Sequence, residues 1–84
     1  MAIEEVLEHF RHLLESQEPP QRLIYHLDDF RPDEGEVKLG VEVKQGNHWV
    51  EDDRWARNVL YAEVFEGLKL LERQYVESLV NGQL

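Results

Sequence analysis

The sequence predicts a single small α+β domain, in the order helix, strand, strand, short strand, long helix, with an antiparallel hairpin packed on two helices. Three observations predict it: apolar residues at helical spacing near the N-terminus, an alternating strand beside turn-forming residues, and a long run of helix formers in the last third of the chain. At 84 residues, two domains would each lack a core, so residues 1–84 are expected to form one domain.

The first helix is predicted from Ile3 to Leu14. Its apolar residues recur at intervals of three and four, which lines one side of a helix; they are Ile3, Val6, Leu7, Phe10, Leu13 and Leu14. Glu4 and Glu5 lie in the first turn, where carboxylates complement the positive end of the helix dipole. Pro19 and Pro20 should end the helix, because proline lacks a backbone donor and restricts the residue before it.

Two strands are predicted next, from Arg22 to Phe30 and, more clearly, from Val37 to Val43, where every other residue is apolar. Residues 31–35, Arg-Pro-Asp-Glu-Gly, combine the residues that favour a turn, so the two strands should form a hairpin. Gly46-Asn47 is a second candidate turn. After it, His48 to Val50 forms a short third strand or leads directly into the next helix.

The long helix is predicted to begin with Asp52 or Asp53 as its cap, to run to about Val80 and to close at Asn81-Gly82. One apolar seam consists of Leu60, Val64, Leu68, Leu71, Tyr75 and Leu79. A second apolar set widens it and consists of Trp55, Val59, Phe65, Leu70, Val76 and Val80. A helix with apolar residues on two sides must pack against other elements on both of them. We therefore predict a homodimer that buries this helix, the sheet edge or both. In the alternative, the first helix covers the second side within a monomer.

The composition bears on partners and compartment. The chain has 18 acidic and 9 basic residues and a net charge of -9, which favours a basic protein partner and opposes direct nucleic-acid binding. The alternative is that the acidity only keeps a small protein in solution. The absence of cysteine excludes disulfides and thiol chemistry and fits a cytoplasmic protein. We expect no membrane segment, because no run approaches the roughly 20 apolar residues that a span needs.

Residues suited to catalysis are scarce. The chain has no cysteine or threonine, Ser16 and Ser78 lie in the final turns of predicted helices, and no glycine pattern forms a phosphate-binding loop. The paired carboxylates at residues 28–29, 33–34 and 52–53 are assigned to a strand with opposite-facing neighbours, a turn and a helix cap. We therefore predict no enzyme activity, no catalytic residue and no cofactor.

Metal binding by the four histidines is left open, and no metal site is predicted. Glu5 with His9, and Glu8 with His12, are four residues apart on the first helix, a spacing typical of metal ligands and of an ordinary ion pair. A zinc site needs three or four converging ligands. The histidines that would have to complete it are His26 and His48.

The segment before the long helix has the composition of a protein-binding hot spot. Trp49 and Trp55 flank the acidic residues 51–53, with Arg54 and Arg57 just beyond. The alternative is that the tryptophans fill the end of the core. The predicted partner-binding set joins this segment to the acidic first helix and consists of Trp49, Glu51, Asp52, Asp53, Trp55, Arg57, Glu4 and Glu8.

These features predict a non-catalytic interaction module: a small acidic adaptor, chaperone-like subunit or inhibitor that binds a basic protein surface, with imitation of nucleic acid as a variant. The alternative is a metal- or ligand-dependent regulatory or catalytic subunit with its site at a dimer interface. A third class, direct nucleic-acid binding, requires four arginines to converge on one face; they are Arg22, Arg31, Arg54 and Arg57.

Overall fold

The computed structural model describes residues 3–25 and 35–82. In chain order, its elements are helix α1 (Ile3–Glu15), strands β1 (Gln21–Tyr25), β2 (Glu36–Gln45) and β3 (His48–Leu60), one 3₁₀ turn (Tyr61–Glu63) and helix α2 (Val64–Gly82). The strands form one antiparallel sheet in the order β1-β2-β3. The predicted α+β class, element order and hairpin are confirmed. Residues 26–34, which include most of the predicted hairpin turn, lie outside the described residues.

Helix α1 has the extent that its periodicity predicts. Val6, Leu7, Phe10 and Leu14 are buried, while the intervening charged side chains are exposed. At its end, the Ser16 hydroxyl and the Gln17 side-chain amide both donate to the Leu13 carbonyl, at 2.7 and 3.0 Å. These bonds satisfy a terminal carbonyl that has no partner within the helix.

Both helices contribute to a single core with the central strand. The buried cluster joins Phe10 of α1, Leu39 of β2, and Leu68 and Leu71 of α2, all fully inaccessible to solvent. Helix α2 comes close to the sheet at Gly67, where an added Cβ would lie 3.2 Å from Val59 Cγ1. The apolar seam of α2 is therefore covered by the chain's own sheet and by α1, as in the alternative in which α1 covers it within a monomer. The homodimer stays a prediction.

The predicted start of the long helix is wrong. Residues 51–60 belong to β3, a strand of 13 residues instead of three, and α2 begins at Val64. Asp52 is consequently no helix cap. Leu60, which we assigned to the helix seam, ends the strand and is 54% exposed, whereas the seam residues within α2 are buried or, for Leu79, packed at the margin of the core.

A large β-bulge in β3 explains why this strand is hard to recognise from the sequence. Val41 pairs with Asp52, but Leu39 pairs with Arg57, so residues 53–56 lie opposite the single residue Gly40. The three extra residues reverse which alternate side chains of β3 face the helices. The alternation of inward- and outward-facing side chains therefore does not continue in one register through the whole strand.

The ends of β3 and its place in the sheet follow ordinary rules. The Gly46-Asn47 turn joins β2 to β3 as predicted, with Gly46 at φ 62°, a conformation that glycine adopts without steric cost. Strand β3 is an edge strand, and the charged residues and bulge in its middle discourage pairing with another sheet. Within the described ranges, neither helix is both long and apolar enough to cross a membrane.

Leu68→Asp is expected to remove most of the stability of the fold. It places an unpaired charge at a fully buried position, which costs at least about 3 kcal/mol against a total stability on the order of 5 kcal/mol. Leu71→Asp should behave alike. Circular dichroism during urea unfolding measures the effect.

Leu70→Asp is the matched control, because Leu70 lies on the same helix and is 40% exposed. It should change the free energy of unfolding by less than about 0.5 kcal/mol. Equal unfolding midpoints for Leu68→Asp and Leu70→Asp would show that the seam assignment is wrong.

Candidate functional site

The outward side of α1 carries exposed carboxylates that have no cationic partner among the residues the structure describes. Burial of the apolar side turns Glu4, Glu5, Glu8 and Glu15 to solvent; we call these four residues the acidic face. Among the ion pairs of the described residues, none involves them. Arg11 lies among them and forms no ion pair within residues 3–25 and 35–82. Glu4, Glu8 and Glu15 line a shallow furrow of about 460 Å³ together with Arg11 and His12.

The carboxylates of the sheet and of α2 are largely compensated. Five of the eight lysines and arginines in the described ranges form ion pairs there: Arg22 with Glu42 (2.7 Å), Lys38 with Glu51 (3.1 Å), Arg54 with Asp52 (2.8 Å), Lys69 with Glu66 (3.1 Å) and Arg73 with Glu77 (3.9 Å). Uncompensated negative charge is thus denser on α1 than on the sheet or on α2.

The structure separates the residues of the predicted tryptophan-rich junction. Trp49 lies on the sheet face away from the helices, where the Arg22 guanidinium carbon is 4.4 Å from its ring centroid. Trp55 is only 9% exposed and packs on Tyr75, with ring centroids 5.3 Å apart, as the core alternative holds. Asp53 is exposed, whereas Glu51 and Asp52 are ion-paired. Partner binding by this set stays a prediction.

A polar cluster borders the core beside Trp55. The Tyr75 hydroxyl donates to Gln21 Oε1 at 2.6 Å, and Arg54 donates to Asp52 from its backbone N–H (3.1 Å), Nε (3.1 Å) and Nη2 (2.8 Å). The Trp55 indole N–H is buried without a hydrogen-bond partner in the described part of the chain.

The pKa values of Asp52 and Tyr75 in this cluster are shifted away from neutral pH. Hydrogen bonding from Arg54 lowers the pKa of Asp52, and burial raises the pKa of Tyr75. A general acid or base works best with a pKa near the operating pH. The two shifts therefore make Asp52 and Tyr75 poorer acid–base groups at neutral pH.

The histidines do not form the pairs that their spacing suggests. His9 Nδ1 lies 2.8 Å from Glu72 Oε2 of α2 and not in an ion pair with Glu5, and no ion pair joins Glu8 to His12. His48 is exposed beside the β2–β3 turn, and His26 lies outside the described residues. In the part of the chain described, no three His, Cys, Asp or Glu side chains are grouped to hold a metal ion.

The three arginines of the nucleic-acid hypothesis that are described do not share one face. Arg22 pairs with Glu42 and Arg54 with Asp52, while Arg57 donates to Gln74 Oε1 of α2 at 2.8 Å. Arg57 thus points toward the helices, on the side of the sheet opposite to Trp49. Arg31, the fourth, lies outside the described ranges.

Sequence reasoning missed an apolar groove that adjoins the acidic face. The groove, of about 530 Å³, has Leu7, Val64 and Phe65 at its apolar base, and Glu4, Tyr25 and Tyr61 also line it. Burial and then the neighbouring Tyr61 and Glu4 raise the pKa of Tyr25. The aromatic residues Tyr61 and Phe65 were the available signal, but the predicted helix placed them in its middle.

Asp52→Asn is expected to lower the free energy of unfolding at pH 7 by about 1 kcal/mol. Asp52 is 14% exposed, but solvent screens the pair through Arg54, which is 74% exposed. Because the fold lowers the pKa of Asp52 from its usual 3.8, this stability is complete above that value and is lost as pH falls through the lowered pKa.

The difference between the wild type and Asp52→Asn in urea unfolding should therefore shrink toward zero as pH falls below the lowered pKa of Asp52. Asp53→Asn is the matched control, since Asp53 is adjacent and exposed and has no ion pair among those found in the described residues. It should have little effect at either pH. A difference for Asp52→Asn that persists unchanged at low pH would contradict the role of the ion pair.

Comparison with protein-family models, with curated proteins and with solved structures finds no match to this chain.

Proposed function

We propose that the protein is a non-catalytic interaction module that binds a basic surface of another protein through the acidic face of α1. The observation that carries the proposal is a set of four exposed carboxylates, at residues 4, 5, 8 and 15. In the described part of the chain they form no ion pair, unlike the carboxylates of the sheet and of α2. Charges that are not compensated within the chain are available to compensate those of a partner.

The acidic face is presented on a rigid support. Phe10 and Leu14 fix α1 in the core with no solvent exposure, and His9 links the helix to Glu72 of α2. Carboxylates on a fixed helix lose little conformational freedom of the backbone on binding, so more of the electrostatic attraction remains as affinity. The net charge of -9 also speeds the approach of a basic partner.

An inhibitor that occupies a nucleic-acid-binding groove is one form of this function. Glu4 and Glu8 are one helical turn apart, and a repeated row of carboxylates can meet cationic side chains that otherwise contact phosphates. Arg11 and His12 interrupt the row before Glu15, which limits the length of such an imitation. We propose the cytoplasm as the compartment, since a chain without cysteine gains nothing from an oxidising one.

The double variant Glu4→Lys/Glu8→Lys tests the proposal. Immobilised wild-type protein should capture from host lysate a basic protein that is released by high salt. The variant should bind that protein at least about tenfold more weakly, because attraction becomes repulsion at two adjacent sites. Binding is then measured with the purified partner at low and high salt.

The matched control is Glu66→Lys/Glu77→Lys, which makes the same change in net charge at two exposed, ion-paired positions of α2. It should retain the partner within about threefold, since net charge acts mainly on the encounter rate. Equal loss in both variants would mean that binding follows overall charge, and equal retention would exclude the acidic face as the binding surface.

A further inference from the structure

We propose that the apolar groove beside the acidic face receives a large apolar side chain from a basic peptide segment of the partner. The inference rests on the proposed function and adds to it the kind of segment recognised: lysine or arginine residues next to an apolar anchor. The groove and the acidic face meet at Glu4, which lines both the groove and the furrow.

The groove lies where the ends of four elements meet. The N-terminal turns of α1 and α2 supply Leu7, Val64 and Phe65, the end of β1 supplies Tyr25, and the turn after β3 supplies Tyr61. The Tyr61 backbone N–H donates to the Gly35 carbonyl at 3.2 Å, which ties this corner to the beginning of β2. The groove is thus built on the ends of packed elements, which hold its shape.

The size and lining of the groove suit a side-chain anchor. Its volume of about 530 Å³ lies within the roughly 300–1,000 Å³ of typical ligand sites, which are mostly apolar with a few polar groups. Phe65 is half-buried, with Lys69 Nζ 4.6 Å from its ring centroid, and Tyr61 is 44% exposed, so two aromatic side chains form part of the groove lining. Anchors of this kind supply much of the binding energy at protein interfaces.

The charge around the groove selects a cationic segment. The N-terminal ends of α1 and α2 each contribute about half a positive charge. Lys69, whose Nζ lies 4.6 Å from the ring centroid of the lining residue Phe65, is ion-paired with Glu66. Glu4 at the groove and the exposed Glu63, which lies between the lining residues Ala62 and Val64, contribute a full negative charge each and outweigh the helix ends. Glu8 adds a further carboxylate one turn along α1. The ring of Tyr25 can also interact favourably with lysine or arginine.

Selection from a displayed library of random 12-residue peptides tests the inference with the intact protein. Enriched sequences should combine lysine or arginine with at least one large apolar residue. A synthetic peptide of the leading sequence should lose at least about tenfold in affinity for Ala62→Trp, which fills the groove from an exposed position. Ala62→Arg, which adds a cation at the groove, should also weaken peptide binding.

The control is Asn81→Trp, which adds the same side chain at an exposed position near the other end of α2. It should leave peptide affinity unchanged, and circular dichroism confirms that each variant folds. Fluorescence anisotropy of the labelled peptide gives the affinities.

Each other outcome overturns the inference. Basic peptides that bind Ala62→Trp as well as the wild type would leave the proposed function standing and remove the groove from it. Enrichment of acidic or uncharged peptides, or of none, would exclude a cationic segment as the occupant. A dimer in sedimentation that Ala62→Trp dissociates would identify a second copy of this chain as the occupant.

Discussion

The structure depends most on Tyr75, where all the layers of the fold meet. From α2, its ring contacts Phe10 of α1 (5.9 Å between centroids) and Trp55 of β3 (5.3 Å), and its hydroxyl bonds to Gln21 of β1. One side chain thus joins both helices to both edge strands. Aromatic residues are effective in this position because they combine a large apolar surface with one polar group that can reach the margin of the core.

The same packing determines where charge can lie. With the apolar sides of both helices turned to the sheet, the charged residues of α1 and α2 face outward, but the two helices differ in ion pairing. On α2, Lys69 follows Glu66 by three residues and Arg73 precedes Glu77 by four. Each lysine or arginine forms an ion pair with its glutamate. On α1, Arg11 follows Glu8 by three residues and precedes Glu15 by four, the same spacings, but it forms no ion pair with either carboxylate. Residue spacing therefore permits such pairs on both helices, and among the described residues they form only on α2.

Sequence reasoning located α1, β2 and the exposed glutamates because one period governs each of those segments. It failed at β3 for two reasons. The bulge opposite Gly40 changes which alternate residues of the strand are apolar. Asp52, which accepts a hydrogen bond from the Arg54 backbone N–H within the strand, is also a residue type typical of a helix cap. The groove could not be predicted for the same reason: Tyr61 and Phe65 come together with Leu7 only if the strand continues to Leu60 and α2 starts at Val64.

The outer sheet face is the other large surface that a partner could use, and its chemistry is less suited to a charged partner. Arg22 already pairs with Glu42 and covers Trp49, and Lys38 pairs with Glu51. Each exposed pair contributes only about 0–1 kcal/mol, but a partner must desolvate or separate both of its charges. A basic surface that meets Glu4 and Glu8 separates no such pair. The exposed charges of α1 therefore offer more of their Coulomb energy to binding than the greater number of charges on the sheet.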